Sequence, residues 1–239
     1  MSLLEKYKDE VAKFVKVCQA MAAQKYVTGY GGNLAWKLEE DVILITPTQR
    51  NKGDVGALDV VFINRKGDIL EGKRKPTGEK PMYLKFFEER PDIVSVLHCH
   101  PPCCCGFTIM KGENYLMRPY FPETITEVGP VPIVPYGEPL TQKLADNFSQ
   151  YLHKYNSFLM ENHGLVTMSN LGIDWTWMNV ELLEITAQSI IYALQNGGVK
   201  ELNKEAVRDL GNVMKTRNLP LFGAPGVNKT LEGMYFPED

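Results

Sequence analysis

Hydrophobic residues recur along the chain at two spacings, which predict alternating helices and strands. Over residues 3–24 the apolar side chains lie three or four positions apart, which is typical of an amphipathic helix. Short apolar runs predict strands, of which 93–98 is the most continuous. Further strands are predicted at 42–46, 60–63, 69–70, 131–134, 157–160 and 165–168, and further helices at 81–90, 141–154, 173–194 and 200–217.

The order of these elements predicts the class of fold. Strands and helices interleave, but without the strict strand–helix–strand repeat of a doubly wound parallel sheet. We therefore expect an α/β fold with one domain over residues 1–239, in which helices sandwich a central mixed, largely antiparallel sheet. From about residue 219, prolines and glycines predict an irregular tail.

Composition narrows the classes of function. The 239 residues are 44% hydrophobic and 23% charged, as in ordinary soluble globular proteins. A net charge of −3 gives no basic surface for nucleic acid, and the sequence shows neither a transmembrane run nor a signal-peptide pattern. We expect a small-molecule substrate, with neither nucleic acid nor a membrane as partner.

The cysteines indicate the compartment. There are five, including the run Cys103-Cys104-Cys105, and an odd, contiguous set is a poor disulfide framework, so we expect a reducing cytoplasm. Neighbouring side chains point in different directions, which favours packing over metal binding by these sulfurs, with a metal role as the alternative.

Histidines carry the clearest chemical signal. Three of the four in the chain are His98, His100 and, 63 positions further on, His163. On a strand His98 and His100 would point to the same face, and Cys99 would point away from them. Two imidazoles on one face and a third from elsewhere are the ligand set of a catalytic zinc. The alternative is a chance spacing of core or surface histidines.

Five ordered motifs resemble those of the class II aldolase/adducin superfamily, and within it the L-fuculose-1-phosphate aldolase branch. The resemblance spans roughly residues 5–195. The motifs are Gly32-Asn33, Ile45-Thr46-Pro47-Thr48, Lys75-Pro76-Thr77-Gly78-Glu79, His98-Cys99-His100 and Asn162-His163-Gly164.

The resemblance implies a metal site and a catalytic carboxylate. His98, His100 and His163 would bind Zn²⁺, or another divalent metal such as Mn²⁺, and Glu79 would be the catalytic acid/base. Cleaving a carbon–carbon bond beside a carbonyl leaves an enediolate, whose charge a divalent cation neutralises while a carboxylate moves the proton. Related epimerases carry aspartate at this position, so Glu79 favours bond cleavage over epimerisation.

The resemblance also implies a phosphate pocket and an assembly. The pocket residues would be Gly32, Asn33, Thr48, Thr77 and Gly78. A tyrosine from a neighbouring subunit would act as the acid, which requires a homo-oligomer, commonly a tetramer. Tyr120 lies near the matching place, with a buried aromatic of no catalytic role as the alternative.

Two positions depart from the pattern of the pocket. Gln49 replaces a usual glycine and Gly78 a usual serine, so one hydroxyl donor is lost. Arg50 and Lys52 could supply charge instead, or could lie in a solvated loop.

The function expected is a divalent-metal-dependent aldolase of carbohydrate metabolism that cleaves a small ketose 1-phosphate to dihydroxyacetone phosphate and an aldehyde. The first alternative is a metal-dependent decarboxylase, or dehydratase, of the same superfamily, acting on a non-phosphorylated hydroxy or keto acid. The second alternative is a non-catalytic, adducin-like scaffold.

Overall fold

A single sheet forms the centre of the molecule. The computed structural model describes residues 1–237, so Glu238 and Asp239, the end of the expected domain, lie outside the described residues. Within 1–237 eight strands pair in the order β4-β3-β2-β1-β5-β8-β7-β6. The strands are β1 (Asn33–Glu39), β2 (Val42–Ile45), β3 (Val61–Ile63), β4 (Ile69–Glu71), β5 (Ser95–Cys99), β6 (Ile133–Val134), β7 (Ser157–Met160) and β8 (Gly164–Ser169).

Helices cover both faces of this sheet. They are α1 (Leu3–Lys6), α2 (Lys8–Ala23), α3 (Lys80–Glu89), α4 (Pro102–Ile109), α5 (Pro122–Glu127), α6 (Gln142–Asp146), α7 (Ser149–Leu152), α8 (Ile173–Gln195), α9 (Lys204–Thr216) and α10 (Leu231–Tyr235). Within residues 1–237, β6 and β7 are the one parallel pair, and the other neighbours are antiparallel. The expected α/β fold with a mixed, largely antiparallel sheet is confirmed.

The sheet separates two hydrophobic layers. On one face α2 and α8 contribute Phe14 and Leu183 to a buried cluster, and on the other α3 contributes Phe86. Central strand β5 is buried along its whole length and alternates between the layers, with Leu97 and Cys99 in the first cluster. His98 therefore points to the opposite face from Cys99, as the alternation predicts.

Three segments differ from the expected elements. The predicted helix over 141–154 is divided into α6 and α7, and the predicted helix over 3–24 is interrupted at Tyr7. The tail beyond 219 is not wholly irregular, because it contains α10. Thr230 accepts a hydrogen bond from the Gly233 N–H at the start of that helix, and Leu231 is buried in a third apolar cluster.

Strand β1 and helix α4 were not predicted. Helix α4 begins at Pro102, directly after β5, and the Glu184 carboxylate from α8 accepts hydrogen bonds from the Cys103 and Cys104 N–H groups at 2.8 and 2.9 Å. The five thiols are free. Among residues 1–237, no helix is long and apolar enough to cross a bilayer.

Candidate metal and substrate site

The three motif histidines come together at one end of β5. His98 lies within this strand, paired with Asn33 of β1 and Val166 of β8. His100 follows the end of the strand, where its N–H donates to the Tyr26 carbonyl at 2.7 Å. Regular sheet pairing therefore positions His98, and a backbone bond holds the residue two places after it.

His163 reaches the same point from the turn between β7 and β8. Asn162 has a left-handed backbone (φ 54°), which asparagine tolerates better than most residues, and the His163 N–H closes the turn onto the Met160 carbonyl at 3.0 Å. The antiparallel pairing of β8 with β5 then brings the turn to the end of β5. A tight turn after β7 thus supplies the third imidazole.

The geometry of the three rings suits metal binding. One ring nitrogen from each of His98, His100 and His163 lies within 4.8 Å of the others, and the Nε2 atoms of His98 and His100 are 3.0 Å apart. His98 Nδ1 is 2.9 Å from the Leu165 carbonyl, which accepts only from a protonated nitrogen. That contact assigns the proton to Nδ1 and leaves the Nε2 lone pair facing the other rings.

Burial keeps these imidazoles neutral. It lowers the pKa of His98 to about 3, and the neighbouring His163 adds to the shift. It also lowers the pKa of His100 to about 3 and lowers the pKa of His163, where the charge of Glu79 acts in the opposite direction. Neutral imidazole is the form that binds a metal.

Glu79 faces the histidines from the N-cap position, immediately before α3. Its side chain is buried, with Oε2 3.6 Å from His98 Nε2 and Oε1 3.6 Å from His163 Nε2. Asn33 Nδ2 donates to Oε2 at 2.8 Å, and the Tyr83 hydroxyl lies 2.5 Å from Asn33 Oδ1. The asparagine amide is thereby oriented with its N–H group toward the carboxylate.

Tyr83 was not among the predicted site residues. It lies four positions after Glu79 on α3, and residues at that spacing share a helix face, so this was the available signal. Its hydroxyl is fully buried against Asn33. Tyr83 acts through Asn33, and so supports the position of the carboxylate.

The donor set fits a divalent cation. Three neutral imidazoles and one carboxylate are borderline ligands of the kind that Zn²⁺ prefers. His163 Nδ1 is buried and has no hydrogen-bond partner within residues 1–237. Its other ring nitrogen, Nε2, lies 3.6 Å from Glu79 Oε1 and would bind the metal, which leaves Nδ1 in need of a hydrogen-bond acceptor.

Glycines allow the backbone to approach the rings. A Cβ on Gly164 would lie 2.6 Å from His100 Cδ2 and 2.7 Å from the Cys99 carbonyl oxygen. A Cβ on Gly31 would lie 3.1 Å from His100 Cε1. Gly32 has φ 66°, and a Cβ there would meet Val27 at 2.3 Å. Larger residues at Gly31 or Gly164 would displace the imidazoles, whereas a larger residue at Gly32 would displace Val27 and strain the backbone.

Replacing Gly164 with alanine is expected to weaken metal binding at least about tenfold and to cost about 1–3 kcal/mol of stability. The new methyl would overlap His100 and a strand carbonyl that cannot move freely. Isothermal titration with Zn²⁺ and thermal denaturation measure the two effects. Gly106→Ala is the matched control, because a Cβ there meets nothing within 4 Å. Equal zinc affinity in the two variants would contradict the expected overlap.

Backbone hydrogen bonds connect the loops that carry the residues predicted to bind phosphate. The Thr48 N–H donates to the Lys75 carbonyl and the Thr77 N–H to the Thr46 carbonyl, each at 2.9 Å, which joins two of the motif loops. Thr77 Oγ1 accepts from the Glu79 N–H at 3.3 Å. Asn33 thus contacts the carboxylate of Glu79 and Thr77 contacts its backbone, whereas the phosphate role of the loops stays a prediction.

The two departures from the family pattern have structural consequences. Gln49 has φ 53°, a conformation that glycine adopts without strain and other residues rarely adopt. A Cβ on Gly78 would lie 3.0 Å from Leu140 Cδ2, so the space of the missing serine adjoins an apolar side chain. An apolar side chain therefore adjoins Gly78, where the family pattern has a hydroxyl.

Arg50 and Lys52, the two alternative sources of charge, have different environments. The Arg50 guanidinium lies 3.4 Å from the Asp59 carboxylate, which neutralises it. Lys52 is 1% exposed, so the prediction of a solvated loop is wrong for this residue. It is buried because its amine reaches two carbonyls, those of Tyr30 and Arg50.

Tyr120 is not placed against Glu79 by the contacts within this chain. It packs on the first hydrophobic cluster, and its buried hydroxyl has no hydrogen-bond partner within residues 1–237. Burial raises the pKa of Tyr120 to about 12, with smaller effects from the charges of Glu201 and Glu113. Its role as an acid for a neighbouring subunit stays a prediction.

Comparison with known proteins identifies the family. The family model "Class II Aldolase and Adducin N-terminal domain" matches residues 12–191, and the chain belongs to this family. An L-fuculose phosphate aldolase of Methanococcus maripaludis (strain C5) is 31% identical over 188 residues, covering 79% of this chain and 98% of that protein. The expected resemblance is thus confirmed.

Relatives with a second activity match over similar lengths. A 3-oxo-tetronate 4-phosphate decarboxylase of Pectobacterium atrosepticum is 28% identical over 202 residues, covering 83% of this chain and 91% of that protein. The crystal structure of YgbL from Klebsiella pneumoniae superposes with a TM-score of 0.78 and 27% identity, covering 85% and 98% of the two chains. The aldolase and decarboxylase relatives are both lyases, and class II aldolases use a divalent metal.

Proposed function

We propose that this chain is a divalent-metal-dependent aldolase that cleaves a small ketose 1-phosphate to dihydroxyacetone phosphate and an aldehyde. The observation that carries the proposal is the placement of one buried carboxylate 3.6 Å from both His98 and His163. Cleavage of an aldol requires a base for the hydroxyl proton beside a site that accepts negative charge. Glu79 would act as the base, and the histidine cluster would hold the cation that accepts the negative charge.

Each side chain has a distinct role in this proposal. His98, His100 and His163 would hold the metal, Zn²⁺ or Mn²⁺, which supplies Lewis-acid charge beside the reacting oxygens. Glu79 removes the hydroxyl proton and returns it to the carbon left by cleavage. The Asn33 amide holds Glu79 Oε2, so the carboxylate needs little reorganisation during the reaction.

The remaining predicted residues complete the proposal. Gly32, Asn33, Thr48, Thr77 and Gly78 line the pocket for the phosphate of the substrate. Tyr120 of a neighbouring subunit donates a hydrogen bond to the oxygen of the departing aldehyde, which leaves as a neutral carbonyl, within a homotetramer of single-domain chains in the cytoplasm. The buried Tyr120 hydroxyl has no partner among residues 1–237, which is compatible with a partner group supplied by assembly.

Decarboxylation is the second candidate, supported by the Pectobacterium relative named for that reaction. Loss of carbon dioxide also leaves negative charge beside a carbonyl, so the same histidine cluster suits it. The names of the fuculose and oxo-tetronate relatives both include a phosphate, which supports a phosphorylated substrate over the non-phosphorylated acid. The complete set of histidines and Glu79 argues against a scaffold without catalysis.

Two assays on the zinc-loaded protein separate these reactions. One offers a panel of ketose 1-phosphates and measures dihydroxyacetone phosphate through a coupled dehydrogenase, and the other offers 3-oxo-tetronate 4-phosphate and measures carbon dioxide. Aldol cleavage with little decarboxylation is the expected result. Carbon dioxide release alone would replace the aldolase proposal with the second candidate. A metal-loaded protein inactive in both assays would favour the scaffold.

A further inference from the structure

Lys52 is a buried cation four positions after Thr48, one of the residues predicted to bind phosphate. It begins a 3₁₀ turn over Lys52–Asp54, and its side chain is 1% exposed. The amine donates to the Arg50 carbonyl at 2.9 Å and to the Tyr30 carbonyl at 3.2 Å. Both acceptors are neutral, so these bonds orient the amine without cancelling its charge.

The charge of Lys52 has no acidic partner at contact distance. Within residues 1–237 no carboxylate oxygen forms an ion pair with its amine, whereas nearby Arg50 and Arg74 both pair with Asp59. Burying an uncompensated cation is costly, and such groups are usually paired or neutralised. An anion at the adjoining site would offset that cost.

The position of Lys52 connects it to the catalytic centre. Tyr30, whose carbonyl it holds, precedes Gly31, which packs against His100, and Asn33 of the same segment donates to Glu79. The Lys52 amine therefore holds the backbone of the segment that supplies Gly31 and Asn33 to the centre.

We propose that Lys52 is a specificity-determining residue whose fixed positive charge, acting from behind the Tyr30–Asn33 segment, selects substrates carrying a phosphoryl group. This inference rests on the proposed sugar-phosphate function and deepens it. The charge replaces part of the binding lost with the serine hydroxyl at Gly78. In a water-poor interior a fixed charge acts strongly over a few ångströms, even without exposed surface.

Charge balance supports the same assignment. A divalent cation and Lys52 together exceed the single negative charge of Glu79, which leaves the centre positive. A phosphate monoester is close to a dianion at neutral pH, whereas an uncharged sugar would leave the excess unmatched. The centre is therefore complementary to a doubly charged ligand.

The test compares two enediolate mimics in zinc-loaded protein by isothermal titration. Phosphoglycolohydroxamate and glycolohydroxamate share the metal-binding group and differ in the phosphate. Lys52→Met is expected to lower the ratio of their affinities about tenfold or more, mainly through the phosphorylated ligand. Lys75→Met is the matched control, because it removes an exposed lysine beside the same loops, and its ratio is expected to change less than about twofold.

The ratio of the two affinities distinguishes an effect of the Lys52 charge from a merely structural role of its side chain. If Lys52 only holds the Tyr30 and Arg50 carbonyls, both ligands weaken together and the ratio stays constant, which overturns the inference. Lys52→Arg retains the charge and is expected to retain most of the preference. If Lys52→Met does not fold, Lys52→Gln keeps an N–H donor without the charge and serves for the same ratio.

Failure of the proposed function gives a different result. If wild-type protein binds both mimics equally, the proposal of a sugar-phosphate substrate is wrong, and so is the proposed role of Lys52. If wild-type protein prefers the phosphorylated mimic and Lys52→Met keeps that preference, the inference about Lys52 alone is wrong. A selective loss in Lys52→Met but not in Lys75→Met supports both.

Discussion

Replacing Glu79 with glutamine is expected to lower kcat for aldol cleavage by about 10²–10⁴-fold, the range by which a positioned general base contributes. The amide cannot take the hydroxyl proton, although it fills nearly the same space between His98 and His163. Asn33 also loses its charged acceptor, since its amide N–H now donates to Oε2. Coupled detection of dihydroxyacetone phosphate measures the change.

The control is Glu88→Gln, which removes an exposed carboxylate from the same helix and is expected to leave kcat within about twofold. Zinc content, measured on both variants, shows whether the loss is chemical. A Glu79→Gln protein with full zinc content and near-normal kcat would refute the assignment of the base. A variant that lost zinc as well would make Glu79 a metal ligand in addition.

The position of His98 could be predicted because two local signals agree. A continuous apolar run predicts a buried strand, and alternation along that strand separates His98 from Cys99. The order of the five motifs, which matches that of the aldolase family, then predicts that His163 joins the same metal centre. These inferences depend on the two-residue alternation of side chains along a strand and on the identity of the residues. Both can be read from the sequence.

Strand β1 had a usable signal that was missed. Leu34, Trp36 and Leu38 alternate along it, and all three pack on the cluster beneath α2 and α8. The glycines directly before the strand are typical of a loop, and they obscure the start of this alternation. Helix α4 is harder to predict, because its first N–H groups are satisfied by Glu184, about eighty positions later in the chain.

Lys52 shows why the rest of the site escapes prediction. A lysine in a loop rich in polar residues is ordinarily exposed. Its burial depends on carbonyls from two segments that converge in the folded chain, those of Tyr30 and Arg50. The same limit applies to Tyr83, whose role depends on a contact with Asn33 across fifty positions.

Replacing His98 with alanine is expected to abolish zinc-dependent stabilisation and aldol cleavage together. With free zinc about 100-fold above its Kd, binding stabilises a protein by about 2.7 kcal/mol. For a chain of this length that corresponds to a rise in Tm of about 5–11 °C. His98 is one of the three histidine ligands, and the Leu165 carbonyl orients its ring. Removing it should therefore eliminate that rise in Tm. Differential scanning calorimetry with and without zinc measures it.

His153→Ala is the matched control, because it removes the one histidine outside the centre, an exposed side chain 3.9 Å from Glu89. This variant should keep the full zinc-dependent rise in Tm. The metal-free His98→Ala protein is itself expected to be less stable by about 1–3 kcal/mol, since the Leu165 carbonyl loses its donor. The comparison therefore uses the zinc-dependent difference within each variant. An undiminished rise in His98→Ala would refute the assignment of His98 as a ligand, and would leave either His100, His163 and Glu79 or a site elsewhere to bind the metal.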